Sequence, residues 1–165
     1  MAGRNRFQGI WIFDFSTNKW TLKATHSKNQ QYPDDRFYES LAFSGNLGFM
    51  SGGIIPYTAN TLNSDIWRIG LESLEWLKLE YSLDTCVFDH RMSVVNDHYL
   101  FTFGGYHNQD SVNTFECFTV QPQTLYRLCL GSISHSQNLR NYIKSLPVSM
   151  VDECNLNEND TFFDS

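Results

Sequence analysis

The side chains best able to do chemistry are spread thinly along this chain. Its five histidines are His26, His90, His98, His107 and His135. No two of them stand at the i, i+4 spacing that aims a pair of imidazoles at one metal. Its four cysteines, Cys86, Cys117, Cys129 and Cys154, lie far apart with no C-x-x-C pair. Neither a zinc framework nor a dense disulfide framework is expected, and a reducing, intracellular compartment fits this usage. There is no G-x-S-x-G elbow, phosphate-cradling glycine loop or zincin helix. Asp34-Asp35 reads as a solvated turn rather than an acid–base pair. A catalytic role, a cofactor and a metal are therefore not expected. The most informative residues are those of 124–133. Read as a helix, this stretch sets Leu125, Leu128, Cys129 and Ile133 on one face, because those spacings match a 3.6-residue period. Such an apolar face must be buried, against the chain's own core or against another protein.

The elements that would position these residues follow from composition and pattern. At 165 residues the chain is long enough for one domain with a core. Hydrophobic residues make up 41% and charged residues 18%, which predicts a largely globular chain. A formal net charge of −6 argues against a general nucleic-acid binder, which needs a Lys/Arg surplus to neutralise phosphates. No apolar run approaches the roughly 20 residues of a membrane span. The N-terminal residues, Met-Ala-Gly-Arg-Asn-Arg-Phe, lack the apolar core of a signal peptide.

The first three quarters of the chain repeat. Residues 9–20, GIWIFDFSTNKW, and 64–76, SDIWRIGLESLEW, share one pattern: an apolar strand, a polar turn, then tryptophan. Trp11 matches Trp67, and Trp20 matches Trp76. Residues 49–53, FMSGG, and 101–105, FTFGG, are apolar strands that each end in Gly-Gly. The period is about 50 residues. Aromatic and β-branched runs suit pleated, half-buried strands. Asn18 suits a tight turn, and each glycine pair suits a strand end where backbones approach closely. The tryptophans are expected to fill the space between neighbouring sheets.

Over residues 9–120 this pattern resembles the kelch β-propeller family. The resemblance implies an all-β kelch-type propeller, partial here at about two and a half blades, followed by a short α-helical C-terminal tail. The expected parts are two strands over about 9–25, a complete blade over about 37–80, and three strands over about 91–120. Kelch propellers usually have about six blades. The chain thus reads as a C-terminal portion with an open apolar blade face: a truncated product, a partial gene model, or a chain that self-associates through that face.

The tail starts where a fourth strand should follow residues 115–120. Pro122 suits a first helical turn, with Gln121 as cap. Thr124, Leu125, Cys129 and Ile133 resemble the Elongin-binding box of cullin-2 substrate receptors, which implies that Leu125 enters an apolar pocket of Elongin C with Leu128, Cys129 and Ile133 beside it. A second helical pattern carries Leu139, Tyr142, Ile143 and Leu146. Leu146, Pro147, Met150 and Cys154 then resemble the cullin-2 box of the same receptors. The expected layout is a partial kelch propeller at 9–120, a helical tail bearing both boxes at 121–156, and a disordered end at 157–165.

Together these features resemble the kelch-repeat substrate receptors of cullin-2 RING ubiquitin ligases. The resemblance implies a non-catalytic adaptor in cytoplasm and nucleus, partnered by Elongin C and Elongin B, cullin-2 and a RING subunit. It also implies that the propeller binds substrate C-terminal peptides, with no nucleic acid or membrane involved. A peptide carboxylate calls for Arg, whose planar guanidinium makes paired charge-assisted hydrogen bonds. Arg36 and Arg91 are the candidates, taken as equivalent positions at the start of their blades' first strands, together with Tyr38 and His90. The competing expectations are that these arginines satisfy loop carbonyls, that the chain is a kelch interaction scaffold with no ligase role, or that it is a truncated receptor binding Elongin alone.

Overall fold

The computed structural model describes residues 5–56 and 61–122, together with Leu125, Leu128, Cys129 and Ser132. Two compact units divide the chain, Met1–Val120 and Gln121–Ser165. In the first unit a 3-10 turn, Arg6–Gln8, leads into strands. The strands are β1 (Gly9–Asp14), β2 (Lys19–Ala24), β3 (His26–Ser27), β4 (Ser40–Ser44), β5 (Leu47–Ser51), β6 (Ile54–Ile55) and β7 (Thr61–Leu62). They continue with β8 (Asp65–Gly70), β9 (Glu75–Ser82), β10 (Arg91–Val95), β11 (Tyr99–Phe103), β12 (Tyr106–His107), β13 (Asp110–Ser111) and β14 (Phe115–Thr119).

These strands form three successive blades. The first is the β1–β2 hairpin alone, with Trp11 opposite Leu22 and Phe13 opposite Trp20. The second is the antiparallel series β4-β5-β8-β9, extended at its outer edge by β3, which runs parallel to β9. The third is β10-β11-β14. Short hairpins, β6–β7 and β12–β13, project between the second and third main strands of the two larger blades. The fold of the described first unit is all-β and kelch-like.

Strand alternation gives each blade two faces, and successive blades stack face to face. On the leading face of the second blade, Met50, Trp67, Ile69 and Trp76 are buried, with Phe7, Ile10 and Tyr32 of the preceding segment packed on them. On its trailing face, Ala42, Phe49 and Ile66 share a core with Leu83, Val87, Leu100 and Val120, against which Met92, Val94 and Phe118 of the third blade also pack. Main-chain bonds join the blades as well: Gly53 N donates to Val87 O at 2.8 Å and Asp89 N to Tyr38 O at 2.8 Å.

Trp67 and Trp76 fill an inter-blade space, and their indole N–H groups donate to Asp65 Oδ2 at 2.7 Å and Phe7 O at 3.0 Å. Trp11 and Trp20 do not fill such a space; both are exposed, and among the described residues no sheet lies on the leading face of β1–β2. Asn18 sits at φ 54°, in the tight turn its side chain tolerates. The glycine pairs are required by close approach. A Cβ on Gly53 would lie 2.9 Å from Phe37 O, and one on Gly105 would lie 2.8 Å from Phe88 O.

Of the second unit, Leu125, Leu128, Cys129 and Ser132 have helical backbone, and Ser132 Oγ donates to Leu128 O at 2.9 Å. Gln121 and Pro122 themselves are irregular. Thr124, Ile133, Leu146, Pro147, Met150, Cys154 and the end at 157–165 lie outside the described residues.

Candidate functional site

The repeat aligns the second and third blades by their hydrogen bonding. Phe37 bridges to Ile54, and Phe88 bridges to Tyr106. Ser40 pairs with Ser51, and Arg91 pairs with Phe103. Phe37 therefore corresponds to Phe88, Tyr38 to Asp89, and Ser40 to Arg91. Arg36 corresponds to Val87, so Arg36 and Arg91 are not equivalent positions. A four-residue offset separates them because Arg36 precedes the bridge residue of its blade while Arg91 opens a strand.

That offset gives the two arginines different surroundings. Arg36 is 1% exposed. Its guanidinium donates to Asp65 Oδ1 at 2.6 Å and Oδ2 at 3.3 Å, to Gly52 O at 3.1 Å and to Asp34 O at 3.1 Å. All its reach is used inside the blade, where it ties the entry loop to β8 and the glycine turn. Arg91 stands on the surface and touches Asp89 Oδ1 at 3.2 Å. An exposed pair of this kind is worth under about 1 kcal/mol, so the guanidinium remains accessible to another anion.

His90 lies beneath the rim, fully buried between blades. Its Nε2 is 2.8 Å from Ser51 Oγ, and its Nδ1 has no hydrogen-bond partner among the described residues. Burial and the neighbouring Arg91 charge push its pKa down from 6.5 to about 4, against a smaller opposing pull from Asp89. It is neutral near pH 7 and does not face solvent.

Tyr38 is exposed at φ 59° on the same rim as Arg91. Its ring lies 6.1 Å from Phe88, which stacks on Tyr106 at 5.7 Å. The Asp89 N–H that bonds Tyr38 O belongs to the residue that holds Arg91, so one short segment carries both the aromatic row and the cation. Phe37 is exposed at the same blade end. The result is an aromatic ridge, Tyr38–Phe88–Tyr106, flanked by one accessible guanidinium and one carboxylate. It offers stacking area, one phenol donor at each end and an anion partner, which suits a peptide better than a reacting small molecule. Of the four candidate residues, Arg36 and His90 are buried, while Tyr38 and Arg91 are exposed and each touches Asp89, Tyr38 through its carbonyl and Arg91 through the carboxylate. Phe88, Asp89 and Tyr106 complete the site; the signal for them was the aromatic at matching positions of two repeats, Phe37 and Phe88. No group of three or more metal-ligating side chains occurs among the described residues.

The described strands form a kelch-like, all-β fold. The chain is similar to Kelch domain-containing protein 10 of human, at 26% identity over 121 residues, covering 70% of this chain and 27% of that protein. The same protein of rat is 26% identical over 121 residues, with 29% of its length covered. The likeness supports a kelch-repeat relationship. The chain spans less than a third of the length of these curated relatives. No family model matches the chain.

Proposed function

We propose that this chain is a non-catalytic protein-interaction module that serves as a substrate-recognition subunit of a cullin-2–Elongin B/C ubiquitin ligase. The blade rim holds a partner's free C-terminal segment, and the helical tail docks Elongin C and, further on, cullin-2. The observation that carries the interaction reading is the aromatic row Tyr38–Phe88–Tyr106, half-buried at Phe88 and exposed at both tyrosines, with the exposed Arg91 guanidinium on the same segment as Phe88. Kelch relatives support a scaffold role for such a surface. The ligase reading is supported by the residue pattern of Thr124, Leu125, Cys129 and Ile133 and by the exposed side chains of Leu125 and Leu128. An apolar helix face of that kind suits a helix-in-groove partner. Work in cytoplasm and nucleus follows from this assignment.

The rim is tested with a labelled peptide ending in Gly-Gly, offered with a free and with an amidated C-terminus. The free acid binds more tightly, and Arg91→Ala removes the difference. Equal affinity of the two forms for the unaltered chain contradicts a carboxylate-reading rim.

A further inference from the structure

The turn that joins β8 to β9 borders a cleft that the rim does not use. Leu71 N donates to Asn46 O at 2.8 Å and Leu74 N to Gly70 O at 2.7 Å, and Leu74 takes a left-handed φ of 54°, so this turn is tightly fixed. Ser73 is exposed on it, and its Oγ accepts from Glu75 N at 3.3 Å. A Cβ on Gly70 would lie 2.5 Å from that oxygen, so only a glycine leaves the hydroxyl room against the backbone. Gly70, Ser73 and Glu75 line a cleft of about 180 Å³ together with Lys28 and Arg68.

The two cations reach the cleft from different strands. Arg68 of β8 pairs with Leu77 of β9. Lys28 follows β3, whose parallel pairing of Ser27 with Trp76 brings the next residue level with Leu77. All of these residues belong to the second blade, whose four main strands are present. Neither Lys28 nor Arg68 forms an ion pair among the described residues. Small-molecule sites usually measure about 300–1,000 Å³, so this smaller cleft suits one compact anion rather than a cofactor.

We propose that Ser73 is a phosphorylation site and that Lys28 and Arg68 receive its phosphate, pinning the β8–β9 turn to the segment after β3. In the modifying step, catalysed by a protein kinase, Ser73 Oγ forms a bond to the γ-phosphorus of a nucleoside triphosphate. The bond from that phosphorus to the bridging oxygen breaks, the nucleoside diphosphate leaves, and the hydroxyl proton passes to the kinase's base. The added group brings a charge of about −1.5 to −2 and three acceptor oxygens, which match a guanidinium and an ammonium. Exposed cations hold a free anion weakly, but a phosphate tethered to Ser73 meets them at an effective concentration in the millimolar range. The neighbouring carboxylates of Glu72 and Glu75 oppose the phosphate and suit a kinase with a basic substrate groove.

The full 165-residue chain made with phosphoserine encoded at position 73 tests the receiving cleft. At low salt its melting temperature rises by about 2–4 °C over the unmodified chain. The gain shrinks in about 1 M salt, which screens the pairs, and it is absent when Lys28→Gln and Arg68→Gln are combined. No gain, or the same gain in the double variant, overturns the proposal. If the double variant melts early without phosphate, Lys28→Gln alone takes its place and reduces the gain. Millimolar inorganic phosphate, against chloride at equal ionic strength, leaves the unmodified chain unchanged. A rise that matches the phosphoserine gain and that the double variant loses would assign the cleft to free phosphate instead, which also overturns the proposal. The modification itself is read by mass spectrometry of the peptide carrying Ser73, from chain expressed in eukaryotic cells with phosphatases inhibited. That peptide carries phosphate; its recovery only in unmodified form contradicts the assignment.

Discussion

Asp65 shows how a single carboxylate organises a blade. It accepts both arms of Arg36 and the indole N–H of Trp67, with Lys78 at 3.7 Å. A buried guanidinium left without its carboxylate is costly, about 3–5 kcal/mol. Asp65→Ala is therefore expected to lower the urea unfolding free energy by about that much. Arg36→Met combined with Asp65→Leu recovers most of the loss, because both charges then leave together. His90 sets an acid limit. Its folded pKa, about 4, lies below the unfolded value of 6.5, so between them the unfolded chain binds more protons. Stability from this group is complete above about pH 6.5, declines as pH falls, and is fully lost below pH 4, a change of about 3 kcal/mol. His90→Gln keeps a hydrogen-bonding partner for Ser51 and flattens this part of the profile, as unfolding curves at pH 7 and pH 4.5 would show. The exposed Arg91 is free of such duties, so Arg91→Ala leaves stability within about 0.5 kcal/mol while weakening peptide binding at the rim.

Among the elements, the glycine turns and the tryptophan strands carry the repeat. Gly53 and Gly105 have φ of 95° and 99° and no room for a Cβ against the neighbouring carbonyls. Gly53→Ala or Gly105→Ala combines backbone strain with a clash and is expected to cost more than about 2 kcal/mol. Gly45→Ala, at φ 51° with open space around it, meets only the backbone term of about 1–2 kcal/mol. Equal losses at Gly45 and Gly53 in denaturant titrations would contradict the close-approach account. The strand pairs and the Gly-Gly turns were legible in the sequence because they rest on local pattern: alternation, turn chemistry and a repeat that matched Trp11 with Trp67. The complete blade expected over about 37–80 spans the residues of the antiparallel series β4-β5-β8-β9. The parallel addition of β3 was not legible, since a two-residue strand has no periodicity. The different fates of the matched tryptophans depend on what lies next to each sheet, which no local window reports. Trp67→Ala accordingly costs about 3–5 kcal/mol, whereas Trp11→Ala costs under about 1 kcal/mol in the monomer.

At the scale of the whole molecule, the stacked blades give a rigid support whose rim is built from the loops that enter each blade. Of the candidate site, the residue types were legible in the sequence and their surroundings were not. Arg36 could not be told from Arg91 by residue type: the bridge pairing moves Arg36 into register with Val87 and so into the interior, whereas Arg91 is exposed. The aromatic partners Phe88 and Tyr106 come from different elements and meet only through that pairing. The adaptor proposal joins this rim to the second unit, and Leu125 and Cys129 are the residues on which it turns. Because both are exposed, Leu125→Asp with Cys129→Asp leaves the melting temperature of the strand unit unchanged. The most direct measurement is retention of purified Elongin B/C on the immobilised chain. The unaltered chain retains the heterodimer and the double variant loses it, with cullin-2 following Elongin in both cases. Equal retention by the two proteins, or none by the unaltered chain, contradicts the adaptor reading.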